Sequence, residues 1–360
     1  ETRKRFRRKT SKKDIQICHI SPTPFSSSDK NFYLVPKKKL GTKQHLRMKE
    51  KNFTRFMDTM IENLKTGNAL GTAHIYQASK NAFITFLGKE EIHFRQIKPE
   101  LLKRFEYFLR SRGNSWNTVS TYMRVLRAVY NRAVDRKLAP YMPRLFKKVY
   151  TGTRTDIKRA LKPEDMGRLL NTQSTRKQTE TLRRTHQLFV LMFLLRGLPF
   201  VDLAYLQKTD LDGNTLTYHR HKTGSPLTVT VPKEAMDIID EWKNTDPDAT
   251  YLFPILEENE KSQDNYRVYQ QALRTFNYQL AKLADLLGFN SNISSYTARH
   301  TWATLAYYLE VHPGIISEAM GHSSIKVTET YLKPFNIKKL DETNKSIIKY
   351  AREAYTKLNY

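Results

Sequence analysis

The sequence predicts a mainly α-helical protein with one small antiparallel β-sheet, arranged as two domains behind a basic N-terminal arm. Three observations carry that expectation. Apolar residues recur at the helical period through 44–138 and again beyond 161, a charged stretch with two prolines separates the two series, and only two short segments read as strands. A chain of 360 residues suits about two domains of roughly 100–200 residues each. Its 18 Phe and 20 Tyr supply enough apolar surface for packed cores.

Residues 1–43 show no sustained periodicity. Eight basic residues fall between Glu1 and Lys13 with no apolar segment behind them, so this stretch reads as a basic arm rather than a secretory leader. The segment 21–30 reads as a loop. Phe53, Phe56, Met57, Met60, Ile61 and Leu64 then share one helix face, and Gly67-Asn68 ends that helix. A second helix is expected from Thr72 to Leu87, stopped by Gly88. A third runs from Pro99 to Ser111 with Leu101, Leu102, Phe105, Phe108 and Leu109 inward. A fourth, capped by Ser115, runs to about Arg136. Residues 44–138 therefore read as an all-helical domain with Lys and Arg on its polar faces, and 139–160 as a linker.

The second domain is expected over 161–335. Lys162-Pro163-Glu164-Asp165 opens it as a helix start, with proline early and acids in the first turn. Thr179 to Arg196 is apolar enough for a buried helix. Leu216 to His221 and Leu227 to Val231 read as strands of a hairpin whose turn is Lys222-Thr223-Gly224-Ser225. Helices follow at about 233–243, 265–287, 297–310 and 313–320, and the tail over 336–360 has helical spacing from Ile337 to Leu358.

Charge narrows the function. Lys and Arg total 62 against 35 Asp and Glu, a formal net charge of +27 spread along the whole chain. Such an excess attracts polyanions, and its even spread favours double-stranded DNA over a membrane surface, where one amphipathic helix would concentrate it. Binding carried by phosphate contacts should weaken steeply with salt. The single cysteine, Cys18, excludes an internal disulfide and a Cys-x-x-Cys metal pair, and fits a reducing cytoplasm. The longest apolar stretch, Leu188 to Leu195, falls far short of the ~20 residues a membrane span needs. His-Glu-x-x-His, a phosphate loop and Gly-x-Ser-x-Gly are all absent, and no cofactor or metal is expected.

The residues that remain lie in the last third: Tyr296-Thr297-Ala298-Arg299-His300-Thr301-Trp302-Ala303-Thr304, then Met320-Gly321-His322-Ser323-Ser324, then Thr328-Glu329-Thr330-Tyr331. In order and spacing this run resembles the tyrosine recombinase (phage integrase) family. That family carries H-x-x-R-H-x-x-A-T, then L-G-H-S, then a tyrosine nine residues past that histidine, as Tyr331 lies nine past His322. The resemblance spans about 44–335 and implies a helical core-binding domain followed by a mixed α/β catalytic domain. It implies that Tyr331 attacks a DNA phosphodiester, making a 3′-phosphotyrosine without metal or ATP. Arg299 and His322 would bind the phosphate, and Lys222 on its hairpin would act as general acid to the departing 5′-oxygen. His300 would be structural.

Two positions depart from the family pattern. The first family arginine falls at Pro199, within Arg196-Gly197-Leu198-Pro199-Phe200-Val201-Asp202-Leu203, and Arg196, one helical turn earlier if the helix continues, is the candidate replacement. Tyr296 stands where the family has histidine; a phenol can donate to phosphate but is a poor base at neutral pH. Both departures resemble integrases of Bacteroidetes-type mobile elements. The expected activity is site-specific recombination (integration, excision or inversion) by a homo-tetramer on paired DNA sites through a Holliday junction. Accessory DNA-bending proteins would be further partners, in a bacterial, nucleoid-associated setting. The alternatives are a non-catalytic DNA-binding relative, a type IB topoisomerase-like enzyme and a basic chromatin protein. By analogy with the family, the tail would be exchanged between protomers.

Overall fold

A computed structural model describes residues 52–154, 160–171, 179–256, 262–289, 292–332 and 337–358. The basic arm expected at 1–43 and part of the expected linker lie outside the described residues.

Four helices build the first half: α1 (Phe53–Thr66), α2 (Leu70–Leu87), α3 (Pro99–Ser111) and α4 (Trp116–Asp135). Local chemistry sets their ends. The Asn52 side chain accepts from the backbone N–H groups of Thr54 and Arg55 at 3.0 and 3.2 Å, satisfying donors that the first turn of α1 leaves open. Ser115 does the same for Thr118 N at 3.1 Å, and Pro99 opens α3. The inward faces meet in an aromatic core. Phe53, Phe83, Phe94 and Phe105 are almost wholly buried, with edge-on ring contacts of 4.9 to 6.0 Å. Rings at such angles add about 0.5–1.5 kcal/mol per pair beyond their buried area. Buried Glu106 accepts from Tyr150 N at 2.6 Å, and the Asn117 side chain bonds both backbone groups of Arg154 at 2.8 Å. The chain leaving α4 is thereby laid against α3 and α4.

The second half centres on α6 (Glu180–Leu194), preceded by α5 (Pro163–Asn171) and followed by α7 (Phe200–Tyr205). Leu188, Phe189, Leu191 and Met192 are buried, and so are Val190 and Leu195. A helix apolar on nearly every side must be covered on nearly every side. Around it lie α8 (Lys233–Trp242), α9 (Ser262–Leu286) and α10 (Ser295–Tyr308). The sheet has three antiparallel strands in the order β1 (Leu211–Asp212), β2 (Thr215–His219) and β3 (Pro226–Thr230). Leu216 pairs with Val229 and Tyr218 with Leu227, so one face of the hairpin is apolar and buried. The last helices are α11 (Pro313–Ala319), α12 (Ile325–Glu329) and α13 (Ile337–Leu358).

Most expected elements agree with the observed ones to within a few residues. Two differ in ways that matter, and three short elements are new. The helix expected to reach Arg196 ends at Leu194. The hairpin turn begins at Arg220 rather than Lys222, because β2 stops at His219. The short α7 and α12 and the two-residue β1 were not expected at all. Among the described residues no helix is long and apolar enough to cross a membrane.

Candidate active site

The end of α6 shapes the floor of the site. Arg196 and Gly197 both take left-handed backbone conformations, φ +58° and +72°, and turn the chain sharply into α7. Gly197 is required twice over: its φ suits glycine, and a Cβ there would stand 2.8 Å from the Arg299 Cα. Its freed carbonyl accepts from Arg299 Nη1 at 2.9 Å.

Arg299 comes from α10, whose buried neighbours Thr297, Ala298, Thr301, Ala303 and Thr304 are small enough to let the helix lie deep. Arg299 is 1% exposed. Its Nη2 donates to the Met320 carbonyl at 2.6 Å and to His322 Nε2 at 2.9 Å. Burial, and then the charge of Arg220, push its pKa down. Guanidinium nonetheless stays charged at any ordinary pH, so this is a cation held under strain of desolvation and like charge.

His322 owes its position to the end of α11. Gly321 N bonds the Glu318 carbonyl and His322 N the Ser317 carbonyl, both at 2.9 Å, with Gly321 left-handed at φ +62°. That is the Schellman ending, which fixes the direction of the residue after the glycine. Burial depresses the pKa of His322 to about 3, helped by the charges of Arg299, Arg220 and Lys222. The imidazole is therefore neutral near pH 7. Gly321 also seats the hairpin: a Cβ on it would lie 3.0 Å from Leu227 Cδ1 of β3. The turn that carries exposed Lys222 thus rests on the turn that carries His322.

Tyr331 follows α12 and is 8% exposed. Its backbone is held at both ends, its N–H by the Thr328 carbonyl at 2.9 Å and its carbonyl by Thr304 Oγ1 at 3.1 Å. Its ring lies 5.0 Å from that of His322 and 4.7 Å from that of His300, and the Arg299 guanidinium is 5.9 Å from its centroid. Its hydroxyl shares a 2.6 Å hydrogen bond with the hydroxyl of Tyr296. Burial, and then proximity to Tyr331, raise the pKa of Tyr296 above the usual phenol range, so Tyr296 meets Tyr331 as a neutral phenol.

Of the six residues singled out in the sequence, Tyr331, Arg299, His322 and Tyr296 converge, and the charge of Lys222 reaches His322. Arg196 does not arrive as expected. Its premise, a helix continuing past Leu194, fails, and its guanidinium reaches out to the Thr228 carbonyl at 3.4 Å.

A different arginine stands among the site residues. Arg220 is 6% exposed, donates to the Met320 carbonyl that Arg299 also uses, and pairs through Nε with Asp202 at 2.6 Å. The Asp202 side chain is fully buried and also accepts from His221 N at 2.8 Å. Arg220 contributes to the pKa shifts of Arg299, His322 and Tyr296. The sequence offers no local signal for it, since its partners Asp202 and Met320 lie 18 residues before it and 100 after it. The result is a pocket where Arg299, Arg220 and Lys222 bring positive charge beside a buried tyrosine hydroxyl, with Asp202 as the acid paired to Arg220. Such a site suits a phosphodiester anion, because fixed cationic donors offset charge that grows on the non-bridging oxygens.

Residues 52–149 match the model of the phage integrase SAM-like domain, and 159–336 match that of the phage integrase family. The chain belongs to the phage integrase family of tyrosine recombinases. A curated relative is tyrosine recombinase XerA of Thermococcus kodakarensis, 25% identical over 238 residues, 64% of this chain and 75% of the relative. Among solved structures, the Tn1549 transposon integrase in complex with a circular intermediate DNA superposes with a TM-score of 0.57 at 15% identity, covering 82% of this chain and 99% of that one. A lambda integrase tetramer bound to a Holliday junction gives 0.54 at 13% identity, covering 78% and 77%. At these identities the two structures speak for the integrase fold, with its helical and catalytic parts.

Proposed function

We propose that this integrase-family chain cuts and rejoins double-stranded DNA at specific sites through a 3′-phosphotyrosine on Tyr331. The observation that carries this is the Tyr331 hydroxyl, buried among Arg299, His322 and Tyr296 beside the hairpin of Arg220 and Lys222. In the forward step the Tyr331 hydroxyl gives up its proton to water, its oxygen bonds to phosphorus as the P–O5′ bond breaks, and Lys222 protonates the departing 5′-oxygen. Arg299, Arg220 and His322 hold the non-bridging oxygens. Arg220 takes the part assigned from sequence to Arg196, since it stands beside Arg299 and His322 while Arg196 reaches Thr228. Tyr296 keeps the nucleophile in place through its hydroxyl. Rejoining is the reverse, with a 5′-hydroxyl attacking the phosphotyrosine, and the bond energy is stored in between.

The wider reading follows the same logic. Residues 44–138 grip DNA as a core-binding domain, 139–160 link it to the catalytic domain at 161–335, and the basic arm at 1–43 adds phosphate contacts. Four protomers act on two sites through a Holliday junction, in the manner of the lambda integrase tetramer bound to one. The tail helix α13 leaves Ile337, Leu340, Ile347, Ile348 and Tyr350 exposed, an apolar surface suited to a neighbouring protomer in that assembly. The Pro199 and Tyr296 departures favour an integrase of a Bacteroidetes-type mobile element, working in the bacterial cytoplasm at the nucleoid, with DNA-bending proteins as accessory partners.

The test is recombination between two plasmid-borne copies of the element's end sequences. Exchange that requires both sites supports the proposal. Relaxation of any supercoiled plasmid regardless of site would favour a topoisomerase-like activity instead, and tight binding with neither activity a non-catalytic relative.

A further inference from the structure

The turn that carries Lys222 has a support besides Gly321. His221, between Arg220 and Lys222, lays its ring on that of Tyr205, the last residue of α7, with centroids 4.3 Å apart and planes tilted by 33°. Tyr205 is backed in turn by Tyr269 of α9 at 6.1 Å and by Tyr251 at 6.2 Å. The His221 N–H donates to Asp202 Oδ1 at 2.8 Å, and Asp202 stands three residues before Tyr205 on α7. Residues three apart on a helix are neighbours on its surface, so one face of α7 takes both the backbone and the ring of His221. Neither that ring nor Tyr205 has a part in the chemistry above. Lys222 needs such a support. Its side chain is exposed, so its backbone decides where the ammonium goes. Arg220 has holds of its own, the ion pair with Asp202 and the bond to the Met320 carbonyl. The N–H groups of Thr223 and Gly224 both go to the Arg220 carbonyl, at 3.3 and 2.7 Å, which closes the turn upon itself. The ring contact of His221, the residue before Lys222, is what ties the turn to α7 beside the lysine.

We propose that His221 is a positioning residue whose ring, seated on Tyr205, aims Lys222 at the departing 5′-oxygen. This rests on the phosphotyrosine reading for its catalytic consequence, though not for the seating itself. A general acid must lie within hydrogen-bond reach of the atom it protonates, and a misplacement of about 1 Å costs about 100-fold in rate. Removing the ring leaves the backbone N–H of residue 221 on Asp202, so Arg220 keeps its place and the turn gains freedom beyond it. Lys222 then loses its aim while the phosphate clamp stands. The seat requires a flat ring and no titrating group. Phenylalanine at 221 offers that ring and alanine does not, and leucine at 205 removes the other half of the stack.

The experiment has two arms. Single-turnover cleavage is measured at saturating protein on two nicked substrates, one natural and one with sulfur in place of the scissile 5′-bridging oxygen. A thiolate departs without a proton, so the sulfur substrate does not need Lys222. His221→Ala should form adduct about 10-fold more slowly than wild type on the oxygen substrate and stay within about 3-fold of it on the sulfur substrate. Tyr205→Leu should behave as His221→Ala does, and His221→Phe should restore the oxygen rate. In the second arm, amide hydrogen exchange at Thr223 and Gly224 should quicken about 10-fold in His221→Ala and return to the wild-type rate in His221→Phe. Equal slowing of His221→Ala on both substrates, which a general loss of structure would give, overturns the proposal. So does wild-type cleavage of the oxygen substrate by His221→Ala, or a His221→Phe variant as slow as alanine. Unchanged exchange in His221→Ala overturns the seating. A wild type that forms no adduct on either substrate would instead sink the phosphotyrosine reading, and the exchange arm would still decide whether His221 seats the turn.

Discussion

Replacing Arg220 by lysine separates the site's charge from its geometry. Arg220 is 6% exposed, and its partner Asp202 has no exposed side-chain surface. Removing the cation altogether would strand a buried carboxylate, at a cost of about 3–5 kcal/mol to the fold. Lysine keeps Asp202 paired. It gives up chiefly the donation to the Met320 carbonyl, a charge-assisted hydrogen bond worth about 1.5–3 kcal/mol. Arg220→Lys should therefore fold, with a melting temperature lowered by about 2–4 °C per kcal/mol lost, the scale for a domain of roughly 150–250 residues. Cleavage should suffer far more. With one ammonium engaged by Asp202, no fork is left to reach a phosphate oxygen, and loss of a fixed donor at developing charge costs about 100- to 1000-fold in rate. The assay is single-turnover formation of the covalent adduct on a nicked substrate, with thermal melts beside it. Arg196→Ala, run in parallel, should lose only the long contact to Thr228 and stay within about 3-fold of wild type, under 1 kcal/mol. Near-wild-type cleavage by Arg220→Lys, together with collapse of Arg196→Ala, would refute the assignment and return the role to Arg196.

Two further perturbations test how the pocket is built. Gly197→Ala puts a methyl group 2.8 Å from the Arg299 Cα at φ +72°, where an L residue costs about 1–2 kcal/mol before any clash; cleavage should fall at least tenfold and the melting temperature should drop, and a silent substitution would contradict the close approach. His322 has its folded pKa pushed to about 3 against an ordinary value near 6.5, so the unfolded chain takes up a proton first as pH falls. Stability should therefore decline between about pH 6.5 and 3, with His322 adding a slope near 1.4 kcal/mol per pH unit that His322→Gln lacks; urea unfolding of both proteins across that range checks it, and parallel curves would show that His322 is not held neutral.

Legibility in the sequence followed length and locality. The helices α1 to α4 were readable because each repeats its apolar face over three or more turns and ends on a Gly, Ser or Pro signal. Arg299, His322 and Tyr331 were readable because their spacing is a family signature that lies within 33 residues. Elements of two to six residues, such as β1, α12 and α7, hold too few positions to show a period, and tertiary packing decides them. Arg220 was missed because its meaning is non-local. Asp202 lies 18 residues earlier and Met320 100 residues later, and only the folded chain brings the three together. Arg196 misled for the opposite reason, since a local helix rule placed it where a left-handed turn in fact redirects the chain.

The claim that Tyr331 is the nucleophile is tested most directly by covalent trapping. Nicked suicide substrates covering candidate recombination sites are mixed with the protein, denatured, and resolved on a gel. The account predicts a protein–DNA adduct whose peptide map carries the modification on Tyr331 and which vanishes in Tyr331→Phe. An adduct that persists undiminished in Tyr331→Phe would contradict it.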